Sequence, residues 1–539
     1  MYTRKLILIA FMALISSFSN AQKSAPPNWF NLDQKADKIP GVSTERAYNE
    51  LLKGKTSKTV VVAVIDGGTE VNHEDLKEVI WINKNEIAGN GIDDDKNGYI
   101  DDVNGWSFIG GKDTNVVEDS YELTRVYTMY KKKYASTDPL KIDQQSKADY
   151  EIYLSVKKEY ESKYSEQKKM LEVYETIKNV IDKVIKQTGT DKPTEKQLAN
   201  IKFENPMENQ FLTMIKGFAK KGTSLKSLAE ELDGPINYFA KGVKFGYNTE
   251  FNPRVLIGDN YEDVNERFYG SNYVSGPKGE HGTHVAGIIA AMRTNNIGMK
   301  GVADNVRIMV LRVVPDGDER DKDVANAIRY AADNGASIIN MSFGKSHSPY
   351  KSAVDEAIKY AQSKDVLMIH AAGNDSKNTD TLPNYPTDKF NDGKESDSWI
   401  EVGASNWKGG KYIAASFSNF GASNVDVFAP GVDIYSCVPF SAYDTYNGTS
   451  MAAPVTAGVA AIIRSYYPQF SASEVKHILT ASAIPVNGNV IIPGAKAGKK
   501  KLFFFGGKAK TSSMKSLCRT GGIVNVYTAV KMAEAKSKK

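Results

Sequence analysis

Residues 447–463 read NGTSMAAPVTAGVAAII, and the reading of this stretch governs the rest of the chain. The run after Pro454 is nearly all Ala, Gly and Val, which predicts a helix buried on every side and closely packed. Pro454 is expected in its first turn, where a missing N–H breaks no bond. Ser450 then stands where a loop turns into that helix. There it would face free backbone N–H groups and the positive end of the helix dipole, both of which favour negative charge on a reacting oxygen. By itself the residue reads equally well as an N-cap on a core helix. The choice between cap and nucleophile depends on what else the chain supplies.

Working outward, Thr59 to Ile65 is an almost unbroken β-branched run closed by Asp66, Gly67 and Gly68. It reads as a buried strand of the parallel type, and the carboxyl end of such a strand is where open α/β sheets place their sites. Alone, Asp66 would read better as a helix cap or a ribose contact. Residues 280–292, EHGTHVAGIIAAM, begin a second helix, with Val285, Ile288, Ile289 and Met292 marking its buried face. His281 and His284 stand one turn apart, but the glutamate of HExxH and a third ligand are missing, which argues against zinc. The dipole at a helix start disfavours a charged imidazole, as suits a base kept neutral at pH 7. Strand and helix then alternate: 306–314, 323–334, 337–342, 350–363 and 366–371, the pattern of a parallel α/β sheet. Two strand exits carry small or amide residues, Ser342, Phe343 and Gly344 at one, Gly373 and Asn374 at the next.

The motifs VIDGG, HGTHVAG, AAGN and GTSMAAP, in that order, resemble the subtilisin-like serine proteases (subtilases, peptidase family S8), in a subgroup with a long insertion between catalytic Asp and His. The resemblance covers Thr56 to about Gly110 and about Asn252 to Ala533. It implies an α/β, three-layer fold with a mostly parallel central sheet and helices on both faces, plus an inserted α-helical subdomain. It also implies a secreted serine endopeptidase working through an acyl-enzyme on polypeptide substrates. Carried over, Ser450 is the nucleophile, His281 the general base and acid, and Asp66 the group that orients His281. The Asn374 side chain and the Ser450 N–H form the oxyanion hole. His284 is then a packing residue, and Ser342, Phe343, Gly344 and Gly373 meet the substrate backbone. The reading of another class is a non-catalytic binding or scaffold protein on the same fold, acting through its insertion; an intact Asp66, His281, Asn374 and Ser450 argue against it. The chain departs from the family where Gly67 replaces the usual Ser or Thr, removing a hydroxyl beside Asp66. It departs again in the 215 positions separating Asp66 from His281.

Around this core the chain reads as follows. Residues 1–21 resemble a signal peptide, with Arg4 and Lys5 before an apolar run from Leu6 to Ile15 and cleavage near Ala21, so export to the periplasm, cell surface or medium is expected, with no stable membrane insertion after cleavage. Residues 22–55 form a polar extension without an evident compact prodomain; 56–110 and 251–533 make up the protease domain; 111–250 are the helical insertion; and 534–539 are a basic tail. In the insertion Tyr153, Tyr160, Tyr164, Leu171, Tyr174, Ile177 and Ile181 recur at helical spacing, a packing face within a long helix. A protein partner for the insertion is conceivable, and nothing in the sequence speaks to oligomeric state. Asp93, Asp95, Asn97, Tyr99 and Asp101 alternate around Gly98 like the start of an EF-hand loop, which suggests structural calcium. The twelfth place is Asn104 rather than Glu, so the loop is not a regular EF-hand; the alternative is a solvated acidic turn, which would have to tolerate repulsion among Asp93, Asp94 and Asp95. No organic cofactor is expected. A net charge of +5 over 539 residues gives no electrostatic case for nucleic acid. Cys437 and Cys518 are too few for a cysteine metal site, and their pairing stays open. An aromatic run within 499–507 suggests an edge strand or flap, and a final helix closes the chain.

Overall fold

The apolar run ending at Asp66 forms β1, Val60–Asp66. In the computed structural model, which describes residues 24–495 and 509–538, β1 lies inside a nine-stranded sheet. The expected signal peptide and the 499–507 run lie outside the described residues. β2 (Gly105–Ser107), β3 (Val306–Arg312), β4 (Ile338–Met341), β5 (Leu367–Ala371), β6 (Trp399–Ser405) and β7 (Val427–Pro430) follow in the chain. β8 (Ile434–Val438) and β9 (Ala442–Tyr446) pair as a separate antiparallel hairpin. β10 (Ile484–Pro485), a small ladder of β11 (Asn489–Ile491) with β12 (Thr511–Ser513), and β13 (Gly522–Ile523) complete the set. The large sheet runs β10-β13-β7-β6-β5-β4-β1-β3-β2, parallel throughout except at β10–β13.

Helices on both faces explain why β1 is apolar at nearly every position. Val60, Val62 and Val64 belong to the core shared with α1 (Glu280–Ala290), α4 (Thr449–Tyr466), α5 (Ala472–Ala481) and α6 (Val526–Ser537). Ala63 and Ile65 belong to the opposite core, with α2 (Asp321–Asp333) and α3 (Lys351–Ser363). Successive side chains of a strand point to opposite faces, so a strand covered twice must be apolar twice. Among the described residues no helix is long and apolar enough to cross a membrane.

The chain divides into two compact units, one of residues 24–122 with 252 onward, the other Leu123–Phe251. Residues 111–122, read from sequence as the start of the insertion, thus lie in the larger unit. The smaller unit is built on one helix of 42 residues, Lys147–Thr188, ended by Gly189 in the left-handed conformation that glycine adopts without strain. Its Ile177, Val180, Ile181 and Val184 pack with Phe211, Leu212, Ile215, Leu225 and Leu228. Tyr153 and Tyr160 are buried, and Tyr160 stacks on Tyr127 at 4.2 Å. Glu122–Tyr134 and Asp233–Lys241 are further helices here, and Gly234 and Pro235 occupy the first turn of the second, which tolerates them.

The N-terminal extension also differs from its polar reading. Trp29, Phe30, Val42, Ala47 and Leu52 are buried in the main core, and Trp29 Nε1 donates to Val432 O at 3.0 Å. Average polarity over the segment concealed a few large anchors. Cys437 and Cys518 are both buried and unpaired.

Candidate active site

Each candidate side chain sits where a strand ends or a helix begins. Asp66 closes β1, and its backbone carbonyl accepts from Val313 N and Val314 N at 2.9 and 3.1 Å. Its carboxylate takes Gly67 N–H at 2.7 Å, and both oxygens stand 2.9 Å from His281 Nδ1. His281 lies in the first turn of α1. Partial burial of its ring works against the charged form, yet the charge and hydrogen bond of Asp66 carry its pKa above the ordinary histidine value. That reverses the expectation from the helix dipole. A full carboxylate charge at contact distance outweighs the half-charge spread over a helix terminus.

Ser450 is the second residue of α4, after N-cap Gly448 and Thr449. Its Oγ donates to Ser342 O at 3.0 Å, and Ser342 Oγ in turn donates to Ser450 O at 2.9 Å. The second bond corrects the placement of Pro454. The proline stands in the second turn, inside the helix, so it removes the N–H that would have bonded the carbonyl four residues earlier, which is Ser450 O. That carbonyl is thereby open to the Ser342 hydroxyl, and the nucleophile's peptide is tied to the end of β4.

Asn374 is oriented by Thr449, whose N–H and Oγ both donate to Asn374 Oδ1, at 2.8 and 3.0 Å. The amide nitrogen is left on the side of Ser450. A Cβ placed on Gly448 would lie 3.5 Å from both Asn374 Nδ2 and Ser450 N. The space beside Gly448 is therefore flanked by two N–H donors, the requirement for holding an oxyanion. The Asn374 loop is held by Asn419. Its Nδ2 donates to Ala372 O at 2.8 Å, and its Oδ1 accepts from Asp375 N and Lys377 N at 3.0 and 2.8 Å. Gly373, with φ +99, is required there, because a Cβ would stand 2.4 Å from Asn419 Nδ2.

Two cavities meet at this point. One of about 430 Å³ is lined by Asp66, His281, Arg312, Ser342, Phe343 and Tyr446, among others. The other, about 320 Å³, is lined by Ser450, Thr449, Asn374, Gly373 and Gly344, with Glu319 among others. Ser342 and Phe343 line both, so all eight residues named for catalysis and substrate contact lie along one cleft. Burial pushes the Glu319 carboxyl up to about 7, against the opposing pull of Lys345. His284 is neutral, its pKa pushed down to about 3, chiefly by burial. It bonds Ile434 O and Asp444 O and stacks on Tyr446 at 4.4 Å.

The acidic loop is arranged differently from its sequence pattern. Asp93 accepts from Asn97 N and Gly98 N, and Asp101 from Gly89 N, Asn90 N and Gly91 N, so both carboxylates cap backbone turns. Tyr99 packs its ring among Trp106, Phe108 and Tyr330. Asn97 bridges Asp95 and Asp102 through Nδ2. Of the five residues only Asp95 joins a carboxylate cluster, whose other members are Glu86 and Asp102, with oxygens all within 4.8 Å of one another. Thr449, Asn419 and Arg312 were missed by sequence reasoning; only Thr449, inside the GTS triplet, carried a signal.

The model of the subtilase family matches residues 57–512. Subtilisin DY of Bacillus licheniformis is 38% identical over 221 residues, 40% of this chain and 76% of that protein. Thermitase of Thermoactinomyces vulgaris is 39% identical over 209 residues, 39% of this chain and 68% of that protein. A solved protease of Pseudoalteromonas arctica is 28% identical, covering 51% of this chain and 75% of its own, with a TM-score of 0.37.

Proposed function

Because the chain belongs to the subtilase family and is a serine-type endopeptidase acting on polypeptides, we propose that Ser450, His281, Asp66 and Asn374 carry its chemistry. The observation that bears most weight is the Asp66 carboxylate held against His281 Nδ1 at 2.9 Å, in a cleft shared with Ser450 and Asn374. Ser450 Oγ turns from Ser342 O toward His281 Nε2 as substrate enters; such bonds commonly tighten only in the complex. Oγ attacks the peptide carbonyl, and its proton passes to Nε2. The oxyanion accepts from Asn374 Nδ2 and Ser450 N. Collapse breaks the C–N bond, with His281 giving its proton to the departing amine, and water then releases the acyl group by the same route. Ser342, Phe343, Gly344 and Gly373 align the substrate backbone. Labelling with a fluorophosphonate followed by peptide mapping tests the assignment. Modification of Ser450, lost in His281→Ala, is expected; labelling of another residue, or none in folded protein that cleaves casein, refutes it.

Glu86, Asp95 and Asp102 suit a structural calcium ion. Three carboxylates so close repel one another, and a hard cation with oxygen ligands relieves that repulsion. Export is proposed from the basic and apolar pattern of residues 1–21, and binding of a protein partner is proposed for the helical unit.

A further inference from the structure

We infer that Arg312 is a positioning residue for the catalytic carboxylate, acting through the Gly67 peptide. β1 and β3 run parallel with Asp66 opposite Arg312, and both residues line the cavity that holds His281. Two glycines follow Asp66, so the chain leaving β1 has no side chain to anchor it. Two bonds to Gly67 do so instead. Its N–H donates to Asp66 Oδ1 at 2.7 Å, and its carbonyl accepts Arg312 Nε at 3.0 Å. A shift of Gly67 would therefore move the oxygen that orients His281.

The remainder of the guanidinium explains why Gly67 is held firmly. Nη1 donates to Ser107 Oγ, Ile109 O and Asn115 Oδ1 at 3.2, 3.3 and 3.2 Å, and Nη2 to Val116 O at 2.5 Å. The side chain is 2% exposed, and none of these partners is a carboxylate. Burial without a charged partner pushes its pKa down to about 10. Its partners are neutral oxygens on three separate segments, so hydrogen-bond geometry and not an ion pair accounts for its place. Room is kept for it, since a Cβ on Gly276 would stand 2.4 Å from Arg312 Nε. One planar fork thus fixes Gly67 to the two segments 107–109 and 115–116.

The inference rests on Asp66 orienting His281, and a double-mutant cycle separates the two claims. Arg312→Met is expected to lower kcat about 10- to 100-fold with KM within about twofold, the cost of a small misplacement of a catalytic group. In an Asp66→Ala background the same substitution should change kcat by less than about threefold, because the group it positions is gone. Arg312→Lys should fall between wild type and Arg312→Met. Circular dichroism establishes folding, and if Arg312→Met is unfolded the cycle is run with Arg312→Lys under the same criteria. Wild-type kcat in the folded variant, or the same loss in both backgrounds, overturns the inference. An Asp66→Ala enzyme with wild-type kcat removes its premise.

Discussion

Gly448→Ala tests the oxyanion site without replacing any group assigned to it. The added methyl would lie 3.5 Å from Asn374 Nδ2, 3.5 Å from Ser450 N and 3.7 Å from Ser450 Cβ, all ordinary contacts. The backbone at Gly448, with φ 161 and ψ 160, is extended, so no left-handed strain is added. The fold should therefore tolerate the change, with a melting temperature within a few degrees of wild type. The reaction should not. An oxyanion needs both donors at about 2.7–3.1 Å, and a methyl between them takes that space or excludes one donor. Losing one donor costs about 10²–10³ in kcat in subtilisin, equivalent to about 2.7–4 kcal/mol of transition-state stabilisation. Steady-state kinetics on a chromogenic peptide should show that fall in kcat with KM nearly unchanged. A folded Gly448→Ala enzyme with wild-type kcat would show that the oxyanion is held elsewhere.

Activity requires neutral His281, and Asp66 raises its pKa. The acid limb of kcat/KM should therefore lie above the ordinary histidine value, with activity growing as pH rises through it. In Asp66→Asn the residual activity should titrate at lower pH, since the charge favouring imidazolium is gone; a limb that stays put would exclude Asp66 as the cause. Chelator should lower the melting temperature and calcium restore it. Asp102→Asn should abolish that response while Asp93→Asn keeps it, and the opposite ranking would return the site to the EF-hand-like pattern. The cavity beside Ser450 is lined by Asp318 and Asp375, with Glu319 held partly neutral at about 7, and among the described residues by no Lys, Arg or His. Matched peptides with Lys or Arg before the scissile bond should be cleaved faster than those with Asp or Glu, a difference that salt reduces. Equal rates would show that these acids do not face the substrate.

Local sequence specifies the kinds of element and the chemical groups at their ends. A β-branched run before Asp66, a small-residue run after Ser450 and a helical period after His281 are local signals, because strand and helix periodicity and terminal N–H groups depend on neighbours in the chain. Tertiary structure decided which ends meet. Asp66 and His281 are 215 positions apart, and Asn419 reaches 47 back to Ala372 in the Asn374 loop through contacts that no local period encodes. Only the fold showed that Pro454 lies in a second turn and leaves Ser450 O to Ser342, and that His281 answers to a carboxylate more than to its helix. Only the fold, again, turned Asp93 and Asp101 toward backbone amides and gathered Asp95 with Glu86 and Asp102. Spacing in a loop names the oxygens available; the turn conformations that aim them arise from packing against Asn83, Asn97 and Tyr330, two of which lie outside the loop.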